Sequence, residues 1–243
     1  RMVALLPTSQ CPGVAAGALK LIAICSEYRL VIVEAGAIPF MLEILQLDAQ
    51  QYKTSWRQVS LCLYQLSLEE ALRPKLLAAG VAAAAYSGTG RCHGSDIPRI
   101  ALGLCVCNLS AATEADDAVA QLVSAGEVPL HLCRMARAHI DGDTYLGATA
   151  SWSLKDITGS LALLAASSVG RQSIVRVMVT KEGRTQSGVQ LLVELLQHSG
   201  AADNAGAALI HLAVSPETCH VMRSERGGLQ SVAKQSGEAG EQA

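Results

Sequence analysis

Ala101-Leu102-Gly103-Leu104-Cys105-Val106-Cys107-Asn108-Leu109-Ser110, followed by Leu122-Val123-Ser124-Ala125-Gly126-Glu127-Val128-Pro129-Leu130, is the stretch that decides the fold. An Ala/Leu-rich helical run ends in a small polar residue. A charged irregular stretch follows, then a short apolar segment, a glycine and a second Leu-rich run. The same succession recurs five times along the chain. Self-similarity at tens of residues is the mark of units that cannot bury their apolar side alone and stack to do so.

The first copy runs from Gly17 to Ser26, then Leu30-Val31-Ile32-Val33-Glu34-Ala35, Gly36, and Ala37-Ile38-Pro39-Phe40-Met41-Leu42-Glu43-Ile44-Leu45. Gly36 suits the left-handed position that ends a helix without a Cβ clash. Pro39 falls in the first turn of the next helix, where its missing N–H costs little. The second copy runs from Gln58 to Ser67, through Arg73–Ala79, to Gly80. The third spans Ile100–Ala136 with Gly126 as the closing glycine. The fourth comprises Ser160–Ser167, Arg171–Val175 and Gly188–Leu196, and the fifth Ala205–Ser215, Cys219–Glu225, Gly227-Gly228 and Leu229–Val232.

The helix-ending serines keep the register: Ser26 to Ser67 is 41 residues, Ser67 to Ser110 is 43, and Ser167 to Ser215 is 48. Ser110 to Ser167 is 57, so that unit carries an insertion, expected at Thr113–Asp117 or around Asp141-Gly142-Asp143. A period in the forties matches three-helix repeats. The predicted class is all-α, and few stretches alternate with period two, so a sheet is not expected.

The pattern resembles the armadillo repeat family. Glu34–Leu45, with its Gly-Ala-Ile-Pro entry, and Leu104–Ser110 carry the resemblance, which covers about residues 15–235. HEAT repeats, a two-helix relative, are the alternative. The resemblance implies a right-handed α-solenoid of about five repeats whose third helices line a concave groove. The expected organisation is a truncated upstream repeat over 1–12, the array over 13–235, and a polar tail over 236–243. Met2–Pro7 reads as the tail of a helix whose start is missing, so the chain is expected to be a segment of a longer protein or to have this edge covered by an upstream partner.

In armadillo proteins that carry nuclear cargo, an asparagine ladder on the third helices holds a peptide backbone, with a tryptophan one turn earlier. The positions that match this ladder are Ala23, Gln65, Asn108, Ala165 and His211. Leu19, Leu61, Leu104, Leu161 and Ala207 stand one turn before. Only Asn108 keeps the family residue. A second register pairs Trp152 with Asp156, but Arg171-Gln172 and Ile174-Val175 fit the Leu161 register better. The partner groove is therefore expected at Leu61, Gln65, Leu104, Asn108, Leu161, Ala207 and His211. It is more apolar than cationic, which suits a helix better than a lysine-rich strand. The bland reading of Gln65, Asn108 and His211 is polar groups satisfied by their own neighbours.

Composition narrows the function. Half the residues are hydrophobic, only 3% are aromatic, and the formal net charge is −2, without the basic excess of a nucleic-acid binder. The densest basic group, Arg171, Arg176, Lys181 and Arg184, reads as a solvated side of one unit. The eight cysteines follow the helices and contain no Cys-x-x-Cys, so buried reduced thiols, a cytoplasmic or nuclear setting and no zinc are expected. No apolar run is long enough to span a bilayer, Leu76–Tyr86 being too short. Asn108-Leu109-Ser110 fits a glycosylation sequon by chance inside an apolar helix.

Three groups could carry chemistry. Ser87-Gly88-Thr89-Gly90-Arg91-Cys92-His93-Gly94-Ser95 could cradle a phosphate, but its spacing is not a Walker loop and a connector is expected. His139, Asp141 and Asp143 could bind a cation, but lack a ladder of oxygens. Asp116 and Asp117 fit a helix N-terminus better than acid–base work. No catalytic elbow or zinc helix appears. The expected protein is noncatalytic, without metal or cofactor. It is a protein–protein interaction scaffold holding a helix or extended peptide within a larger complex. The alternatives are a docking subunit of a ciliary or cytoskeletal assembly, and a cargo or chaperone adaptor.

Overall fold

The computed structural model describes residues 12–91, 96–112, 127–143, 152–181, 183–216 and 218–223. Several expectations lie outside these residues: the Met2–Pro7 segment, Thr113–Asp117, the closing role of Gly126, Gly227-Gly228 and the tail over 236–243.

The chain is mostly helical. Helix α1 (Pro12–Ile24) is followed by α2 (Ser26–Glu34), α3 (Ala37–Gln46) and α4 (Lys53–Ser67). A 3-10 turn (Glu70–Leu72) leads into α5 (Arg73–Ala78), α6 (Val81–Arg91) and α7 (Asp96–Ser110). Beyond these lie α8 (Glu127–Asp141), α9 (Leu154–Ala166) and α10 (Ser168–Arg176). A hairpin of β1 (Met178–Lys181) and β2 (Arg184–Ser187) precedes α11 (Gly188–Leu195) and α12 (Ala202–Val214).

The breaks between helices follow from single residues. Gly36 and Gly80 both have φ +79°, the left-handed conformation in which a Cβ is strained. Each sits between two helices, α2 and α3 or α5 and α6, and turns the chain there. In α3 the residues Ala37, Ile38, Phe40, Met41, Ile44 and Leu45 are buried, a helical stripe that fixes which side meets the core. Ser153 and Asp156 form a reciprocal capping box at the start of α9, as do Ser187 and Gln190 at α11.

Packing follows an order. Helix α1 packs on α4, α4 on α7, α7 on α9, and α9 on α12. The other helices lie to the side: α3 against α4 and α6, α6 against α7, α8 against α9, α10 against α9, and α11 against α12. One continuous apolar core runs from Ala16 to Leu212 through every member of the row.

The hairpin corrects the expectation of no sheet. Its antiparallel register pairs Met178 with Ser187, Val179 with Gln186, Thr180 with Thr185 and Lys181 with Arg184. Gly183 takes φ +77° in the turn. Val177 and Val179 are buried while Met178 and Thr180 are exposed, a period-two signal. The alternation spans only Val177–Thr180, too short to stand out in a helical sequence.

The glycine stretch also departs from expectation. Instead of a loop from Ser87, α6 continues to Arg91. Gly88 lets α6 approach α7: a Cβ there would stand 2.8 Å from Leu102 Cδ1 and 3.4 Å from Trp56 Cζ3. The Arg91 guanidinium lies over the Trp56 ring, 5.5 Å from its centroid. It donates to the carbonyls of Leu45, Gln46 and Leu47 at 3.0, 2.9 and 3.2 Å. A cation thus closes the C-terminal end of α3, where the orphan carbonyls concentrate negative charge.

Candidate functional site

One contact recurs at the C-terminal ends of the row helices. Arg29 Nε donates to Ala23 O at 3.0 Å, Arg73 Nε to Ser67 O at 3.2 Å, and Arg171 Nη1 to Ala165 O at 3.2 Å. At α12 the Thr218 hydroxyl donates to Leu212 O. In all four the donor lies six residues after the acceptor. The three arginines add charge at the negative end of the helix dipole as well as a donor. The capped carbonyls therefore mark equivalent points in α1, α4, α9 and α12.

Two residues before each capped carbonyl stand Leu21, Gln65, Leu163 and Ile210. One turn earlier stand Gly17, Leu61, Gly159 and Gly206. This register differs from the expected ladder positions by two residues in α1 and α9, by one in α12 and by none in α4. The serine lies three residues beyond the capped carbonyl in α1 and α12 and two beyond in α9, and it coincides with that residue in α4. The serines themselves do different jobs. Ser26 opens α2, Ser67 closes α4, and Ser167 caps the N-terminus of α10 by accepting from Gly170 N.

The slip moves the site residues. Ala23 and Ala165 are 0% exposed, whereas Leu21 is 62% and Ile210 67% exposed. At 3.6 residues per turn, Val14 and Leu21 lie on the opposite side of α1 from buried Ala16, Leu19 and Ala23. On α12, Ile210 and Val214 likewise oppose Ala205, Ala208 and Leu212.

Of the predicted groove residues, Leu61 and Gln65 lie half-buried on the outward face of α4, beside exposed Thr54, Arg57 and Leu68. Ala207 and His211 are half-buried on α12. Leu104, Asn108 and Leu161 are 0% exposed and belong to the core, a correction to their placement on a groove surface. Every residue from Ile100 to Ser110 is buried, because α7 sits between α4 and α9. Trp152, just before α9, closes on Tyr64 of α4 in an edge-to-face contact with ring centroids 6.4 Å apart. His139 Nε2 lies 2.9 Å from Trp152 O and holds that segment down.

Inside this covered stretch Asn108 ties three helices together. Its Nδ2 donates to Ser67 Oγ at 2.9 Å, and its Oδ1 accepts from Ser160 Oγ at 3.2 Å. Gln65 stays at the surface, where Arg29 Nη2 donates to its Oε1 at 3.3 Å.

Charge is uneven along the outward face. Helices α1 and α4 contain Lys20, Lys53 and Arg57 and no carboxylate, whereas α9 carries Lys155 with Asp156 and α12 carries Asp203.

The remaining groups have structural partners. Arg137 pairs with Asp141 one turn on and reaches Glu194 Oε2 at 2.7 Å, which also accepts from Gln186 Nε2 at 2.8 Å. This links α8, the hairpin and α11. Burial pushes the Glu194 carboxyl up, but Arg137 and Gln186 outweigh it and hold it below its usual range. Arg171, from the predicted basic cluster, is a helix cap, and Arg176 is exposed. The side chains of Lys181 and Arg184 lie outside the described residues, as do Asp116, Asp117 and residues 92–95.

Burial pushes the Cys62, Cys105 and Cys133 thiols up to about 12 and raises Cys107 as well, so they are protonated and inert. Among the described residues, no group of three or more His, Cys, Asp or Glu is placed to hold a metal. Among them also, no helix is long and apolar enough to cross a membrane. A cleft of about 20 Å³ between α6, α7 and α8, lined by Thr89, Ile100, Gly103, Val128, His131 and Met135 among others, has room for a water rather than a cofactor.

Comparison with known proteins finds no family model that matches the chain and no curated protein that matches it.

Proposed function

We propose that the chain is an armadillo-type α-solenoid that acts as a noncatalytic scaffold, taking a protein partner on the outward face of its row helices. The observation that carries this reading is the same six-residue cap at the ends of α1, α4, α9 and α12. Such recurrence is what stacked equivalent units produce. The row helices then turn comparable positions outward, and at Leu21 and Ile210 these are large apolar side chains left in water. Val14 with Leu21 on α1 and Ile210 with Val214 on α12 form two separate exposed apolar patches, one toward each end of the row, and such patches mark interaction sites. Inert buried thiols fit a reducing compartment, and we place the scaffold in the cytoplasm within a larger complex.

The test is quantitative co-purification from cells. Leu21→Asp together with Ile210→Asp should remove the partner at unchanged helicity and melting temperature. Glu43→Lys, on the exposed side of α3, should leave it bound. Retention of every partner by the double variant would contradict the reading.

A further inference from the structure

Resting on that reading, we infer that the α1–α4 part of the outward face takes an acidic amphipathic helix. Shape points to a helix. Gly13 and Gly17 bring α1 against α4: a Cβ on Gly13 would stand 3.2 Å from Ser55 Oγ, and one on Gly17 3.8 Å from Gln58 Cγ. The two backbones therefore form a shallow valley between two apolar ridges. Val14 and Leu21 make one ridge, and Leu61 and Leu68 the other. Each pair is seven residues apart, about 10.5 Å along the helix. That is the i, i+7 spacing of a guest helix's own anchors. On an extended strand, same-side residues recur about every 6.6 Å and fall out of step.

Charge selects the guest. Lys20, Lys53 and Arg57 belong to these two helices, and neither helix carries an Asp or Glu. The Arg29 guanidinium sits at their C-terminal end, between Ile24 O and Gln65. The neighbouring carboxylates stand on other segments: Glu27 on α2, Glu69 and Glu70, whose charges act on Arg73, and Asp156 on α9, whose charge reaches Tyr64 of α4. A guest carrying Asp or Glu beside its apolar stripe meets complementary potential here. A second copy of this chain seated face to face would instead set one basic face against another.

Two synthetic peptides of about 18 residues, five helical turns, test this. They share one Leu stripe at helical spacing and differ only in Glu or Lys at the flanking positions. Binding to the full chain is read by fluorescence anisotropy. The Glu peptide should bind at least about tenfold more tightly at low salt and lose most of that advantage at high salt. Lys53→Glu with Arg57→Glu, both at exposed positions, should cancel or reverse the preference. Leu21→Asp should abolish binding, and Ile210→Asp should leave it intact.

Equal affinities, a preference for the Lys peptide, binding of neither, or insensitivity to charge reversal would each overturn the inference. So would a Leu21-dependent dimer of the protein alone in sedimentation. If the Lys peptide wins while natural partners still depend on Leu21 and Ile210, the acidic guest is wrong and the scaffold stands. If natural partners ignore both residues, the scaffold reading falls as well.

Discussion

Asn108 and Ser67 meet across the contact between α7 and α4, amide to hydroxyl at 2.9 Å, with both residues closed off from water. Ser67 in turn donates to Tyr64 O at 2.7 Å, so the pair extends the hydrogen bonding of α4 sideways into α7. A residue type that elsewhere grips a guest peptide here grips its own neighbours. Asn108→Ala should therefore destabilise the fold by about 1–3 kcal/mol, because the Ser160 hydroxyl loses its acceptor and Ser67 Oγ its donor in a dry site. Gln65→Ala, at the surface, should cost less than about 0.5 kcal/mol. Urea unfolding of both variants checks the contrast, and equal costs would contradict it.

The arginine caps should be separable from general surface charge. Arg73 is 7% exposed and its guanidinium serves the Ser67 carbonyl. Arg73→Met keeps most of the stem and removes donor and charge, and should lower stability by about 1–2 kcal/mol. Arg176→Met, at an exposed position, should be nearly silent. Thermal melts of the two variants measure the difference.

Glycines make a graded series. A Cβ at Gly170 would collide with the Leu164 carbonyl oxygen and lie 2.7 Å from Ser167 Oγ, so Gly170→Ala must displace backbone. Its cost should exceed about 2 kcal/mol. Gly36→Ala meets open space but a left-handed φ of +79°, and should cost about 1 kcal/mol. Gly90 lies in α6 with nothing near its missing Cβ, and Gly90→Ala should be neutral or stabilising by up to about 1 kcal/mol. Chemical unfolding of the three should return that order.

The link between Arg137 and Glu194 gives a pH signature. The folded carboxyl titrates below its unfolded value, so its contribution is present above the unfolded pKa and is lost as pH falls through the folded one. Stability measured from neutral to acid pH should fall across that window. In Arg137→Met the fall should be shallower, since Glu194 then has no cation to lose. An unchanged acid limb would place the pair among ion pairs that contribute nothing measurable.

The helical class and several helix ends were legible in the residues, and the failures have causes. Gly36 and Gly80 end helices as their type and place require, and Pro39 opens α3 within its first turn. The hairpin escaped because its alternation lasts only from Val177 to Thr180. Ser87–Arg91 looked like a loop because glycines read as punctuation. Here Gly88 is needed for contact with Leu102 and Trp56.

The site register slipped by up to two residues, and the serines gave no firm reference for it. A terminal serine can close one helix or open the next, and its position floats by up to three residues. The arginines did not float: Arg29, Arg73 and Arg171 were visible in the sequence and mark the helix ends better. The burial of Asn108 could not be read locally, because it depends on Ser67 and Ser160, far away in the chain.

Site-specific photo-crosslinking in cells reports which face of the row helices a partner touches. A crosslinking residue at Leu21, Leu61 or Ile210 should trap the same protein partner, and one at Glu43 should trap none of it. Capture from Glu43 alone, with nothing from the three row positions, would contradict the account.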